Sequence, residues 1–231
     1  MYTLHIANKN YSSWSLRPWV LMRELAIPFE ERLHFFCRPG TNYEAFRAFS
    51  PTGQVPCLID GDTTIWESLA IAEYLAERHP GVWPQSQAAR TWARCASAEM
   101  HAGFATLREL CTHNCGLRIR RHDHPPALAS DLARVAELWS DGLARFGGPF
   151  LAGASFTAVD AFYCPVAFRL QTYGLDLPPE PAANAARLRA LPAMRDRYEA
   201  ALKETAREPG HEAEALGAGI VLQDLRATAV R

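Results

Sequence analysis

The cluster Pro80-Gly81-Val82-Trp83-Pro84 divides the chain into two stretches with different hydrophobic periods. Proline and glycine interrupt regular structure more strongly than any other residues, so a cluster of them marks a boundary. Before it the period changes repeatedly. Residues 3–7 read as a strand. Residues 15–26 place Leu16, Trp19, Val20, Arg23 and Ala26 at helical spacing, with Pro18 in the first turn, where a missing N–H costs nothing. Residues 29–36 alternate as a second strand, and residues 43–49 form a short helical patch. Residues 55–59 and 63–66 are two strands joined at Asp60-Gly61, a tight-turn pair. Residues 67–78 then repeat at helical spacing. After the cluster the pattern is helical only, over 86–117, 127–146, 157–173 with an interruption at Pro165, and 192–206. The spacing predicts an α/β domain ordered βαβαββα over residues 1–80, a linker over 81–86 and an all-α helical bundle over 87–231. The stretch beyond Pro209-Gly210 is either docked or frayed.

A chain of 231 residues with a 48% hydrophobic fraction can bury about 70% of its unfolded surface, which excludes disorder as a description of the whole. Its 24 basic and 25 acidic residues leave a net charge of −1, so no broad basic surface exists for nucleic acid. The local cluster Arg118, Arg120, Arg121, His122 and His124 reads as a solvated helix end. No run of 18 apolar residues is present to span a membrane. The first ten residues lack the charged start and apolar run of a signal peptide, which points to a reducing, cytoplasmic compartment. The six cysteines, at 37, 57, 95, 111, 115 and 164, are then expected as thiols. Cys111 and Cys115 could share a helix face, but His113 would point elsewhere. That ligand set is too small for zinc, and no metal is expected.

Three segments carry chemistry. Asn10-Tyr11-Ser12-Ser13-Trp14-Ser15 puts hydroxyls at a helix N-terminus, whose free N–H groups and partial positive charge favour an anion. Serine is also a preferred N-cap, so capping is the competing role. Gln54-Val55-Pro56 opens a strand with a proline, and a cis bond there would turn the Val55 backbone outward to pair with an extended peptide. Glu67-Ser68 opens a helix directly after a strand, a second place for a carboxylate.

The runs S-S-W-S-L-R, S-P-T-G-Q-V-P-C-L-I-D-G and W-E-S-L-A-I-A-E-Y-L, in this order, resemble the thioredoxin-like N-terminal domain of soluble glutathione transferases, closest to the serine-type zeta and tau classes. Ser12 precedes Arg17 by five residues, the spacing of the family's catalytic serine and its arginine. Gly153, Thr157 and Asp160 resemble the family's capping-box segment in the helical domain. The similarity covers most of residues 1–205.

The resemblance implies glutathione as co-substrate. Ser12 would donate its hydroxyl to the glutathione sulfur, with Tyr11 as the competing donor. Val55, before cis-Pro56, would pair with the cysteinyl backbone, with Gln54 beside it. Glu67 and Ser68 would hold the γ-glutamyl end. Arg38, Thr41 and Asn42 are candidates for the glycyl carboxylate. Trp14, Met100, His101, Phe104 and Arg108 would line the pocket for a small hydrophobic electrophile. A homodimer is implied as well. The expected activity is glutathione conjugation; the alternatives are a zeta-like cis–trans isomerase and a non-catalytic glutathione- or ligand-binding protein. Trp14 stands where zeta enzymes carry cysteine, which weighs against the isomerase.

Overall fold

A computed structural model describes residues 1–36 and 42–228. The first seven elements follow the expected order: β1 (Tyr2–Ala7), α1 (Ser13–Glu24), β2 (Phe29–His34), α2 (Asn42–Phe46), β3 (Cys57–Asp60), β4 (Thr63–Trp66) and α3 (Ser68–Ala76). The strands form one mixed sheet ordered β2-β1-β3-β4. β1 runs parallel to β2, with Tyr2 opposite Phe29, and antiparallel to β3, with Leu4 opposite Leu58. Leu4, Ile6 and Leu58 are fully buried beneath α1 and α3. Ser12 caps α1 by accepting the Ser15 N–H at 3.3 Å. The helix thus begins at Ser13, two residues earlier than its hydrophobic period suggests. Pro18 therefore lies beyond the first turn, and the helix runs through it without the N–H that residue 18 would otherwise donate.

The remaining elements are α4 (Gln87–Ala102), α5 (Ala105–Leu110), β5 (Leu117–Arg121), α6 (Pro126–Phe146), α7 (Ala158–Tyr173), α8 (Pro179–Ala190), α9 (Pro192–Lys203), α10 (Pro209–Gly217) and β6 (Gly219–Asp224). This part is helical as expected, with one addition. β5 and β6 pair antiparallel as a separate two-stranded sheet, so the tail is docked. Gly219 permits the approach: a Cβ there would lie 2.2 Å from the Arg120 carbonyl oxygen. The long helix expected over 86–117 ends at Gly103, where the backbone is extended and Phe104 turns left-handed (φ 56°). The basic cluster is correspondingly no helix end. It lies on and beyond β5, where Leu117, Ile119 and Arg121 face inward by strand alternation. Arg121 is buried and donates to the Leu110 carbonyl, and it pairs with Asp123 at 2.9 Å.

α7 is buried nearly all round, as a helix apolar on every side must be. It passes through Pro165 unbroken and packs against α1 and α4. Its start is fixed by the expected capping box. Asp160 Oδ2 accepts the Thr157 N–H and Oδ1 accepts the Leu151 N–H, both at 2.9 Å. Each buried N–H left without a partner costs about 1–3 kcal/mol. Asp160→Ala is therefore expected to destabilise the fold by about 3 kcal/mol and to lower Tm by about 6–12 °C. Thermal unfolding followed by circular dichroism checks this; an unchanged Tm would contradict it.

Candidate active site

The chain from Asn8 to Ser13 links β1 to α1 and is fixed from behind by residues far along the sequence. Lys9 N–H and Asn10 N–H donate to the two carboxylate oxygens of buried Glu204, at 2.6 and 3.1 Å. Asn10 Oδ1 accepts the N–H groups of Cys115 and Gly116 at 3.0 and 3.1 Å. Arg197 donates to the Ser12 carbonyl at 3.4 Å. The tail closes the arrangement. Arg226 is bracketed by Glu212 and Asp224, and the Tyr11 hydroxyl donates to Glu212 at 2.6 Å.

Above this segment lies a cavity of about 680 Å³. It brings together Tyr11, Ser12, Trp14, Gln54, Val55, Pro56, Glu67, His101 and Arg108, which the sequence singles out, and Asn42. The Val55–Pro56 bond is cis. Gly53 (φ 65°) turns the chain into it, with its N–H donated to the Ser50 carbonyl at 3.0 Å. Glu67 adopts φ 68°, a left-handed conformation that costs a side-chain-bearing residue about 1–3 kcal/mol and recurs at ligand sites. Its carboxylate caps no N–H of α3, so capping does not explain it. It lies 3.9 Å from His101 Nε2.

Three expected positions lie elsewhere. Met100 and Phe104 are core residues and do not line the cavity. Neighbouring helix positions point about 100° apart, so His101 faces the cavity while Met100 turns inward; Phe104, past the break, packs edge-on against Tyr163. Ser68 is buried beside the cavity and accepts a long 3.5 Å hydrogen bond from Arg17. Arg38 and Thr41 lie outside the described residues. The structure adds Phe36, Phe46, Thr112, His113, Arg169, His211 and Glu214 to the wall. His211 and Glu214 come from α10. Glu208-Pro209 is a legible start for that helix, since Glu208 caps it by accepting the His211 N–H at 2.7 Å.

The two candidate hydroxyls differ in their commitments. Burial, then the hydrogen bond to Glu212, push the Tyr11 phenol far above its usual pKa, and its one proton is engaged. The Ser12 hydroxyl donates to Ser15 Oγ at 2.8 Å, a bond that rotation about one side-chain torsion releases towards the cavity. Burial, then Arg17, lower the His101 pKa against the pull of Glu67, which favours the neutral imidazole. The Arg17 guanidinium stacks beneath the Trp14 ring at 4.1 Å. Cys111 and Cys115 lie in the segment between α5 and β5, not on a helix, and His113 between them turns to the cavity. Among the described residues, no group of His, Cys, Asp and Glu is placed to hold a metal ion. Nor is any described helix long and apolar enough to cross a membrane.

Several known proteins are similar to this chain. Residues 11–78 match the glutathione S-transferase N-terminal domain family. A dichloromethane dehalogenase of Methylorubrum extorquens is 46% identical over 61 residues, 26% of this chain and 21% of that protein, so the match spans about a fifth of that relative. A "Probable maleylacetoacetate isomerase" of Vibrio cholerae serotype O1 is 26% identical over 79% of this chain and 89% of its own. The theta-class glutathione S-transferase of Xanthomonas axonopodis pv. citri, solved with glutathione bound, superposes with a TM-score of 0.62 and 26% identity, covering 85% of this chain and 96% of that one. Residues 11–78 thus belong to the glutathione S-transferase N-terminal domain family, in a chain built on the glutathione transferase fold.

Proposed function

We propose that the protein is a glutathione transferase that lowers the pKa of the glutathione thiol and joins the sulfur to an electrophile. The convergence of Ser12, Val55-Pro56 and Glu67 on one cavity carries this reading. Residues 1–80 would hold glutathione and residues 87–231 most of the second substrate's pocket. Val55 pairs with the cysteinyl backbone, with Gln54 beside it. Glu67 receives the γ-glutamyl ammonium, and Ser68 supports its carboxylate through a small side-chain shift. Asn42 is the glycyl-carboxylate candidate within the described residues.

A free thiol has a pKa of about 8.5, and lowering it by about 2 units needs about 2.7 kcal/mol. A hydrogen bond to a charged group contributes about 1.5–3 kcal/mol and the α1 N-terminus about 0.3–1, so together they suffice. The proton leaves to water or to neutral His101. The thiolate then attacks carbon, the S–C bond forms, and the leaving group departs with its bonding pair. The chain would work as a homodimer in the cytoplasm. Cis–trans isomerisation with glutathione returned, or ligand binding without turnover, are the outcomes that compete with this reading.

Calorimetry with glutathione and conjugation of 1-chloro-2,4-dinitrobenzene test the proposal. Binding with glutathione-dependent turnover is expected. Tyr11→Phe should keep turnover within about threefold while costing about 1 kcal/mol of stability, the worth of one hydrogen bond. Binding without turnover would leave a ligand-binding protein. Loss of turnover in Tyr11→Phe at unchanged fold would move the donor role to Tyr11.

A further inference from the structure

The wall of the cavity built by α5, α7 and the segment 111–116 is cationic. Arg108 on α5 and Arg169 on α7 both line the cavity. Arg17 lies directly behind the Trp14 ring. Among the described residues, none of the three forms an ion pair with a carboxylate. Arg169 is 4% exposed; it donates to the Cys111 carbonyl at 2.8 Å and reaches Ser13 Oγ at 3.4 Å. Arg108 donates to the His101 carbonyl at 3.1 Å. Among the described residues, Arg17 makes one side-chain hydrogen bond, at 3.5 Å to Ser68, its Nε has no partner, and its guanidinium lies over the Trp14 and Phe162 rings. Burial, then the charges of Arg169 and Arg108, lower Arg17 to about 9; burial, opposed by Tyr173 and Cys111, lowers Arg169 to about 10. His113 stands on the same wall, fully buried. Its Nδ1 meets the Asn10 carbonyl at 3.3 Å, and its Nε2 has no partner among the described residues. The carboxylates among the described lining residues, Glu67 and Glu214, pair with neither Arg108 nor Arg169.

Buried cations without counter-charges are costly, and a site that gathers several around a cavity is completed by an anion. We propose that this wall is a subsite for the carboxylate of the second substrate, gripped by Arg108 and Arg169, so that an organic acid is preferred as electrophile over the neutral hydrophobic molecule the sequence suggests. The inference rests on the transferase reading. A guanidinium presents paired N–H donors in a plane, which suits a carboxylate in particular. Glutathione's own groups do not claim this wall in that reading. Its anchors are Ser12 and residues 42–68, whereas Arg108 and Arg169 belong to the helical part. The Trp14 ring, with Arg17 beneath it and Arg108 at 5.5 Å, supplies an apolar face for the body of the acid.

The test compares 4-(chloromethyl)benzoate with its methyl ester in the presence of glutathione, each relative to its uncatalysed rate. The sulfur displaces chloride at the benzylic carbon in both, so only the anionic group differs. The acid should be preferred at least tenfold in kcat/KM. Arg108→Gln should cut that preference about tenfold through KM for the acid, and Arg108→Lys, with charge but no planar fork, should fall between. A purely structural role of Arg108 would lower acid and ester alike. Preference for the ester, or an unchanged ratio in Arg108→Gln, overturns the subsite while leaving the transferase reading intact. If neither compound is conjugated, the transferase reading fails separately. Calorimetric binding of benzoate then decides the subsite: about tenfold weaker binding by Arg108→Gln supports it, and equal binding overturns it.

Discussion

Ser12→Ala is expected to lower conjugation about 10- to 100-fold at pH 5.5 and hardly at all above pH 9. The hydrogen bond lost is one to a charged sulfur, worth about 1.5–3 kcal/mol, or about 1–2 units of thiol pKa. In the wild type the bound thiol would titrate near 6.5, in the variant closer to the free value of about 8.5. Below both values the thiolate fraction differs by the full ratio of the two acidities; above both, each thiol is ionised and the rates converge. The variant also loses the α1 cap, where Ser12 accepts the Ser15 N–H at 3.3 Å, which costs about 1 kcal/mol and about 2–4 °C of Tm. The signature of a role in catalysis is therefore a pH-dependent loss of rate far larger than the loss of stability accounts for. A rate loss that does not vary with pH would point to capping alone. Steady-state rates from pH 5.5 to 9 with thermal unfolding alongside decide it.

Glu204→Ala should act through position and not through chemistry. Burial raises the Glu204 carboxyl above its usual range, opposed by the Lys9 and Asn10 N–H groups that it accepts. Removing it strands two buried backbone donors just before Ser12, at about 1–3 kcal/mol each. The expected cost is about 3 kcal/mol, about 6–12 °C of Tm, together with a rise in KM for glutathione as the segment carrying Ser12 loosens. Differential scanning calorimetry and glutathione saturation curves measure both. A variant of wild-type Tm would show that Glu204 does not fix this segment.

Residues 1–84 and the start of α7 were legible because their signals are local. Asp60-Gly61 marks the turn between β3 and β4, the breaker at Pro80–Pro84 marks the change of period, and Thr157 with Asp160 marks the start of α7. Boundaries moved where a cap outranked hydrophobic periodicity, as Ser12 did in starting α1 at Ser13. The β5–β6 pair was hidden because its strands lie about 100 residues apart and β5 is rich in arginine, so neither shows what it pairs with. α8 was masked by its prolines, which sit in its first turn, where a helix tolerates them. In the site, adjacent positions on α4 could not be separated by sequence alone. His101 faces the cavity and Met100 the core, a choice made by how α4 packs on α7. Arg169 was missed because it lies in an otherwise apolar helix. That itself was a signal: a buried arginine in such a run needs a reason, and here it is the cavity wall. Likewise Glu204, Glu212 and Arg226 carry no local motif, and only tertiary contact brings them to residues 9–11.

In the proposed function, Ser12 sets the ionisation of bound glutathione. The most direct test of this role is titration of the ultraviolet thiolate absorbance of glutathione bound to wild type and to Ser12→Ala. An apparent pKa near 6.5 is expected in the wild type and one about 1–2 units higher in the variant. Equal values in the two proteins, or a wild-type thiol that titrates at about 8.5 as in free solution, would contradict it.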